Sequence, residues 1–217
     1  MGMNSVVIVG AGGFGREVLE IFKAQNQISM VWNILGFIDE NEKLHGKETN
    51  GYPVLGGLEW LKAHNNTNLG CICAIGNCEM RKQVVERLQA MGIKFYNAIH
   101  PSVIMSEFVE LGEDIVICAG VVLTVNIVLG NHVQINANCS IGHDAIIGNY
   151  CSLLPMVIVN GNDQLGEGVY VGTGANFIHE VSVGEWTTIG AGTVVIKDIP
   201  AKVVAVGVPA KVIKVKE

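Results

Sequence analysis

A histidine and an aspartate stand side by side in the C-terminal half of this chain, at positions 143 and 144. A neutral imidazole is the usual general base near pH 7, and a neighbouring carboxylate orients the ring and stabilises its protonated form. Two more histidines, His132 and His179, lie in the same region. We predict that His143 is a general base with Asp144 as its partner, and that His132 and then His179 are the next candidates. A solvated surface histidine is the alternative for each.

A second chemical signature is a glycine-rich turn near the N-terminus. Residues 5–9, Ser-Val-Val-Ile-Val, precede glycines at positions 10, 12 and 15, and a helical pattern follows from Arg16. A strand, such a turn and a helix form the dinucleotide-type fingerprint, in which glycines let the backbone approach a pyrophosphate and the helix N-terminus favours its charge. The same glycines can also serve only a tight turn, and that alternative stays open.

Two further strand ends are predicted at the same crevice. The second strand ends at Asp39, an acid placed to accept hydrogen bonds from a ribose or a uridine, and the third ends at Gly76 and Asn77, before a helix that contains Arg81. Ligands of such sheets bind where the carboxyl ends of strands converge. This α/β unit spans about 95 residues, roughly half a full dinucleotide domain. We therefore expect a nucleotide or nucleotide-sugar rather than NAD, which disfavours an NAD-dependent oxidoreductase.

The C-terminal half is a six-residue repeat. Every sixth residue from Leu111 to Val195 is large and apolar, and the next position is glycine in eight of these hexads. The position two residues earlier is mostly small or β-branched, so positions i−2 and i face the interior of a strand-and-corner coil. The pattern predicts a parallel β-helix, in which glycine after each strand supplies the backbone angles of the turn. Three hexads per coil would give five coils, but the period fixes neither the number of sides nor the handedness. An ordinary β-sandwich is the alternative, and Asp163 breaks the pattern of small inward residues.

Composition narrows the classes of function. Hydrophobic residues make up 49% of the 217, which excludes general disorder, and no apolar run reaches the length of a membrane span. Residues 101–217 hold five Lys/Arg against eleven Asp/Glu, and no Lys or Arg lies between Phe95 and Ile196. This excludes a nucleic-acid surface there and disfavours an anionic membrane surface. Six cysteines without a signal peptide predict reduced thiols in the cytoplasm, and their spacing predicts no metal site.

Taken together, the motifs resemble a known family. The hexapeptide repeat, the glycine turn, the corner at His143 and Asp144, and the closing residues 207–211 are similar to those of the bacterial sugar O-/N-acyltransferases. This family includes acetyltransferases of nucleotide-linked 4-amino-deoxysugars and relatives described as sialic acid O-acetyltransferases. The resemblance covers nearly the whole chain, and the repeat with its Gly-Val-Pro-Ala-Lys ending is specific for the acyltransferase class.

The resemblance implies an architecture and a site. It implies a half-size Rossmann-like α/β domain over residues 1–97, a left-handed parallel β-helix over residues 98–217, and a homotrimer with acetyl-CoA between neighbouring subunits. It matches His143 to the family's base, Asp144 to its acidic neighbour and Asn136 to the asparagine near the acceptor amine. It matches Gly161, whose N–H meets the thioester carbonyl, and Gly174 to acetyl-CoA. The matches to the nucleotide-sugar site are Gly12, Gly13, Asp39, Gly76, Asn77 and Arg81.

Two departures from the family pattern concern the neighbouring contacts. Ser152 stands where many members have a second histidine, which puts the contacts on the thioester side in doubt. Phe14 stands where some members have a histidine in the glycine turn, which puts the contact with the sugar phosphate in doubt. The tail lysines are the only cations of the C-terminal half, so we expect Lys211 to help hold the CoA phosphates.

The leading hypothesis is transfer of acetyl from acetyl-CoA to the amine of a nucleotide-linked 4-amino-4-deoxysugar. O-acetylation of a sugar such as sialic acid and a non-catalytic nucleotide-sugar-binding protein are the alternatives.

Overall fold

The computed structural model describes residues 3–64 and 68–216, and the chain divides into two compact units, Met1–Pro101 and Ser102–Glu217. Each unit has its own hydrophobic core. The functional assignment of residues 1–97 and 98–217 as separate domains stays a prediction. Within the described residues, no helix is both long enough and apolar enough to cross a bilayer.

The first unit is a twisted sheet with helices. Its sheet has the order β3-β4-β2-β1-β5-β6, with β1 parallel to both β2 and β5. Its strands are β1 (Asn4–Val9), β2 (Trp32–Ile38), β3 (Glu48–Thr49), β4 (Tyr52–Gly56), β5 (Leu69–Cys73) and β6 (Lys94–Phe95). A short further strand, β7 (Ala98–Ile99), is not part of this sheet. Its helices are α1 (Gly13–Ile28), α2 (Leu58–His64) and α3 (Cys78–Ala90), with a 3₁₀ turn at Glu42–Leu44. The predicted strand-turn-helix order is therefore present at β1–α1.

Apolar periodicity explains why these elements form. The last four residues of β1 are fully or almost fully buried, as expected for a central strand of a parallel sheet. Helix α1 buries one face, on which Phe22 follows Val18 by four residues and Leu19 by three. The carboxyl ends of β1, β2 and β5 then deliver the glycine turn, Asp39 and Gly76 to one edge of the sheet.

The second unit is a left-handed parallel β-helix, as the resemblance implied, and it has three faces. Residues 18 apart pair in parallel, so three hexads make one coil. Face A comprises Val116–Ile117, Gln134–Ile135, Ser152–Leu153, Tyr170–Val171, Thr188–Ile189, Val203–Val206 and Lys211–Val215. Face B comprises Ile104–Met105, Val122–Leu123, Ser140–Ile141, Ile158–Val159, Asn176–Phe177 and Val194–Val195. Face C comprises Glu110–Leu111, Val128–Leu129, Ile146–Ile147, Gln164–Leu165 and Ser182–Val183.

Two of the corners matter for the site. The A–B corner consists of residues 118–121, 136–139, 154–157, 172–175 and 190–193 of successive coils. The B–C corner consists of residues 124–127, 142–145, 160–163 and 178–181. The second residue of each two-residue strand from Ile117 to Val195 is buried on all three faces. The six-residue apolar step therefore marks the core. The position two residues earlier also points inward.

The role assigned to the hexad glycines was wrong in one respect. The left-handed backbone of each corner lies two residues further on, at residues such as Asn126, Asp144 and Gly174. The glycines directly after the strands are needed for a different reason. A Cβ on Gly142 would lie 2.6 Å from Gly161 N, and one on Gly148 would lie 2.8 Å from Glu167 N. Glycine at this position therefore lets successive coils stack closely.

Candidate functional site

His143 and Asp144 occupy one B–C corner and are joined by a short hydrogen bond. His143 Nδ1 lies 2.8 Å from Asp144 Oδ2, with 59% of the histidine side chain and 47% of the aspartate side chain exposed. An ionised carboxylate only accepts, so Nδ1 carries the proton and Nε2 the lone pair. Nε2 has no hydrogen-bond partner in the described part of the chain. The pair therefore presents an unprotonated ring nitrogen to solvent.

The backbone at this corner favours an aspartate. Asp144 has a φ of 59°, a left-handed conformation that Asp and Asn adopt more readily than most residues. The hydrogen bond from His143 lowers the pKa of Asp144 below its usual range, and one from Asn126 adds to that effect. The carboxylate therefore stays ionised while it orients the imidazole.

Gly161 lies one coil above His143, and the imidazole packs directly against it. A Cβ on Gly161 would lie 2.6 Å from both Cε1 and Nε2 of His143. The N–H of Gly161 has no acceptor within residues 3–64 and 68–216, whereas its carbonyl accepts from Glu180 N at 3.0 Å. A basic ring nitrogen and an unused backbone donor are thus neighbours on the same corner.

Asp163, which interrupts the small inward residues, shapes the turn that contains Gly161. Its side chain is fully buried, and its oxygens accept from Asn160 N at 2.8 Å and Val181 N at 3.0 Å. Burial raises the pKa of Asp163, partly offset by these two hydrogen bonds. The carboxylate thereby closes the segment 160–163 around Gly161.

Asn136 and Gly174 lie at the A–B corner, on the other side of face B from His143. Asn136 is almost fully buried, and its Nδ2 donates to Leu153 O at 3.2 Å. Gly174 has a φ of +69°, and its N–H donates to Pro155 O at 3.0 Å. Within one copy of the chain, the structure brings His143, Asp144 and Gly161 together and leaves Asn136 and Gly174 at a separate corner.

The glycines of the first unit fall into two groups. Gly10 has a φ of +106°, and a Cβ on Gly15 would overlap Gly10 O, so both are required by the turn itself. Gly12, Gly13 and Gly76 lack a left-handed φ, and Cβ atoms built on them would meet at most the Arg16 guanidinium, at 3.8 Å. These three stand beside open space at the carboxyl ends of β1 and β5, where a ligand would need close access to backbone.

Asp39 reaches the glycine turn directly. Its Oδ2 accepts from Ala11 N at 2.9 Å, and its Oδ1 accepts from Asn41 N at 2.9 Å. Each oxygen retains further acceptor capacity, because a carboxylate offers about four lone-pair sites. Asp39 therefore fixes the turn and can still accept from a ligand hydroxyl.

The start of α3 holds the other two predicted residues. Asn77 caps the helix, with its side-chain oxygen accepting from Met80 N at 2.8 Å. Arg81 is fully buried, and its guanidinium donates to Ile75 O at 2.7 Å. The geometry thus makes Arg81 a support for the loop that carries Gly76, whereas its predicted contact with a ligand phosphate stays a prediction.

Comparisons with known proteins agree with this arrangement. Residues 5–88 match the PglD N-terminal domain, and residues 126–161 match the bacterial transferase hexapeptide family of six repeats. The chain is 30% identical over 174 residues to the GDP-perosamine N-acetyltransferase of Escherichia coli O157:H7, covering 80% of this chain and 77% of that protein. The chain belongs to this family of hexapeptide-repeat acetyltransferases.

Solved structures of similar proteins extend over almost the whole chain. A histidine-to-asparagine variant of perosamine N-acetyltransferase from Caulobacter crescentus, in complex with CoA and GDP-perosamine, has a TM-score of 0.90 and 31% identity, covering 98% of each chain. The acetyltransferase domain of PglB from Neisseria gonorrhoeae, in complex with acetyl coenzyme A, has a TM-score of 0.89 and 29% identity, covering 98% of this chain and 100% of that one.

The other histidines of this acetyltransferase differ sharply in access. His132 is 1% exposed, with Nδ1 2.9 Å from Asp114 Oδ2 and its ring stacked on Tyr150. A ring so enclosed is a structural element of the core, so the predicted order of the two reserve candidates is reversed. His179 is exposed on the B–C corner, two coils above His143, and it becomes the second candidate.

The tail lysines of the acetyltransferase fall into two groups. Lys202 pairs with Glu185 at 3.4 Å, and Lys216 donates to Trp186 O at 2.8 Å, so both hold the tail onto the β-helix. Lys211 is exposed at the start of the last strand and forms no ion pair within the described part of the chain. Lys211 is therefore available for an anionic ligand.

Asn126 is the residue at this site that the sequence did not single out. Its Nδ2 donates to Asp144 Oδ1 at 3.2 Å. The signal was present, because Asn126 precedes Asp144 by one 18-residue coil. Among the described residues, no group of three or more His, Cys, Asp or Glu side chains could hold a metal ion.

Proposed function

We propose that this chain transfers the acetyl group of acetyl-CoA to the amine of a nucleotide-linked 4-amino-4-deoxysugar. The observation that carries the proposal is the close packing of the His143 ring on Gly161, whose N–H has no acceptor within the described residues, on one exposed corner. A base and an oxyanion donor side by side are what direct acyl transfer requires. The solved relatives that bind CoA with GDP-perosamine, or acetyl coenzyme A, support the same chemistry.

His143 is the general base in this proposal. The acceptor amine attacks the thioester carbonyl, and Nε2 removes the amine proton as the new C–N bond forms. Asp144 holds the Nδ1 proton and stabilises the imidazolium, without itself taking a proton from the substrate. The attack is direct and forms no acyl-enzyme. All six cysteines of the chain are buried, so none presents a thiol at the surface to accept the acetyl group.

The Gly161 N–H stabilises the negative charge that develops on the thioester oxygen. A fixed backbone donor in such a place contributes most when charge forms in the transition state, because it needs no reorganisation. CoA thiolate then leaves and takes up a proton, and the acceptor becomes an amide. Gly174 contributes to acetyl-CoA binding, and Lys211 offers a cation to the CoA phosphates.

The nucleotide portion of the acceptor binds to the first unit. Gly12, Gly13 and Gly76 leave room beside the turn, and the N-terminus of α1 favours a diphosphate. Asp39 is placed to accept a hydrogen bond from the nucleoside, while Asn77 and Arg81 hold the neighbouring loop in shape. GDP is the nucleotide to test first, because a relative similar over nearly its whole length binds GDP-perosamine.

A homotrimer would complete the site. Asn136 and Gly174 lie at the A–B corner and His143 at the B–C corner, so a second copy is needed to bring the two sets together across a groove. Outward side chains at these corners and faces include exposed apolar residues, among them Met156, Ile158 and Ile178, which are 40–55% exposed in a single chain. Packing against neighbouring copies would bury such residues.

The test is a thiol-release assay with acetyl-CoA and a panel of acceptors: GDP-perosamine, a uridine-linked 4-amino-4-deoxysugar, free 4-amino-4-deoxysugar and free sialic acid. We expect turnover with at least one nucleotide-linked aminosugar, and mass spectrometry of the product should show an N-linked acetyl group. Turnover only with sialic acid would transfer the assignment to O-acetylation. Tight binding of a nucleotide-sugar without CoA release under any condition would favour a binding protein. Light scattering that shows an active monomer near 23 kDa would reject the trimer.

A further inference from the structure

The carboxylate of Asp144 is held from two sides. Its Oδ2 is 2.8 Å from His143 Nδ1, and its Oδ1 accepts from Asn126 Nδ2 at 3.2 Å. Asn126 lies one coil below Asp144, and the backbone N–H of Asp144 donates to Val125 O at 3.1 Å. The β-helix register therefore fixes the distance between the amide and the carboxylate.

This second hydrogen bond matters because the His143–Asp144 pair is exposed. Water competes for both groups, and exposed ion pairs between mobile side chains contribute little. A carboxylate held at one oxygen can rotate about its Cβ–Cγ bond and release the imidazole. A carboxylate also held at the other oxygen by a residue anchored in the coil loses that freedom.

We propose that Asn126 is a positioning residue for acyl transfer, which keeps the Asp144 carboxylate turned toward Nδ1 of His143 and thereby keeps the lone pair on Nε2. The inference rests on the proposed role of His143 as general base. Asn126 acts only through Asp144.

The amide of Asn126 is uncharged, whereas several of the side chains around it are acidic. An open cavity beside it is lined by Glu107, Phe108 and Glu110 together with Asn126 itself. On the other side of the His143–Asp144 pair, the B–C corner carries Asp163 and His179. An amide donor here binds Asp144 without adding another negative charge, whereas a carboxylate in its place would repel Asp144.

Two substitutions separate positioning from a structural role. Asn126 has a φ of 55°, so Asn126→Gly keeps a backbone that suits the corner and removes only the amide. Asn126→Asp keeps the shape and replaces the donor with a charge. The matched control is Asn138→Gly, which makes the same change at an asparagine with a φ of 59° on the A–B corner.

We expect Asn126→Gly to lower kcat by about 10-fold with little change in the KM for acetyl-CoA. A loss of about this factor is usual when a residue that orients a functional group, without touching the reacting atoms, is removed. Asn126→Asp should shift the acidic limb of the kcat/KM profile to higher pH, because added negative charge favours the protonated imidazole. Nitrogen-15 NMR should show His143 mainly as the Nδ1–H tautomer in the parent, assigned by loss of its signals in His143→Ala, and as a mixture in Asn126→Gly. Asn138→Gly should leave the pH profile and the tautomer unchanged.

The outcomes separate this inference from the proposed function. If His143→Ala is nearly inactive while Asn126→Gly retains the parent's kcat, pH profile and tautomer, the positioning role is wrong and the base stands. If His143→Ala retains the parent's kcat, the base itself is wrong and the inference falls with it. An equal loss from Asn126→Gly in parent and Asp144→Ala backgrounds would also overturn the inference, because the asparagine would then not act through Asp144.

Discussion

The close packing of His143 on Gly161 leads to a sharp prediction for Gly161→Ala. The new Cβ would lie 2.6 Å from both Cε1 and Nε2 of His143, whereas ordinary contacts begin near 3.4 Å. The ring must therefore move by roughly 0.8 Å or rotate away from Asp144, and a misplacement of about 1 Å at a reacting group costs on the order of 100-fold in rate. We expect Gly161→Ala to reduce kcat by about that factor.

The rest of the molecule should tolerate this alanine. The backbone of Gly161 lies outside the left-handed region, so alanine adds no conformational strain, and it retains the N–H that we propose to stabilise the thioester oxygen. Gly142→Ala is the contrasting control. Its Cβ would meet backbone atoms of Asn160 and Gly161, which cannot swing aside as a side chain can. Thermal unfolding should show a clear loss of stability for Gly142→Ala and a small one for Gly161→Ala.

A double-mutant cycle tests the cause. If the methyl group acts by displacing the imidazole, Gly161→Ala should change kcat by less than about 3-fold in a His143→Ala background, since the two changes remove the same interaction. Equilibrium binding of CoA should stay within about 3-fold of the parent in all three variants. The reasoning is refuted if Gly161→Ala has the parent's kcat. It is also refuted if the same loss persists without His143, which would mean that the methyl group obstructs the thioester directly.

Four other expectations can be checked independently. His143→Ala should cut kcat by roughly 10²–10⁴-fold and abolish the acidic limb of the kcat/KM profile, with assembly and CoA binding intact; near-parent turnover would contradict this. Lys211→Ala should raise the KM for acetyl-CoA more than that for the acceptor, and an effect confined to the acceptor would remove Lys211 from the CoA site. Asp39→Ala should weaken nucleotide binding by calorimetry while CoA affinity survives, whereas unchanged nucleotide affinity would reduce Asp39 to its contacts with the turn. Burial raises the pKa of the Cys139 thiol to about 11, so a thiol reagent at pH 8 should detect no protein thiol until denaturant is added; rapid labelling of the native chain would contradict the buried placement.

The fold was predictable because a short period constrains it so heavily. A six-residue apolar step that holds from Leu111 to Val195 predicts that each of those residues is inward, and burial confirms it from Ile117 onward, with Leu111 half-buried. The handedness came only from the resemblance, because the spacing of inward residues is the same for either hand. The function of the hexad glycines was misassigned for a related reason. Within a single strand and corner, glycine suggests that the turn requires unusual backbone angles. The contact that actually requires glycine is with the backbone of the next coil, which one hexad does not show.

The exposure of the three repeat histidines could not be obtained from periodicity alone. His132 and His143 both occupy corners, and both have an acidic partner within hydrogen-bonding distance. The difference is that His132 is enclosed by Asp114 and Tyr150, whereas the side chain of His143 is 59% exposed. Side-chain enclosure depends on what covers a corner, and the hexad pattern carries no information about that covering.

The residues that surround the candidate base can be found from the coil length, because residues 18 apart stack in successive coils. His143 plus one coil gives Gly161, and Asp144 minus one coil gives Asn126, so four residues of the candidate site come from three successive coils yet are stacked in space. The family resemblance matched Gly161 to the thioester carbonyl through its N–H, and the stacking adds a reason why this residue is glycine: only glycine leaves room for the imidazole beneath it. The same arithmetic identifies Asn126, which the resemblance did not. In a β-helix, a candidate base at a corner is therefore best judged by the residues one coil above and below it, because those residues pack on its ring and bind the carboxylate that pairs with it.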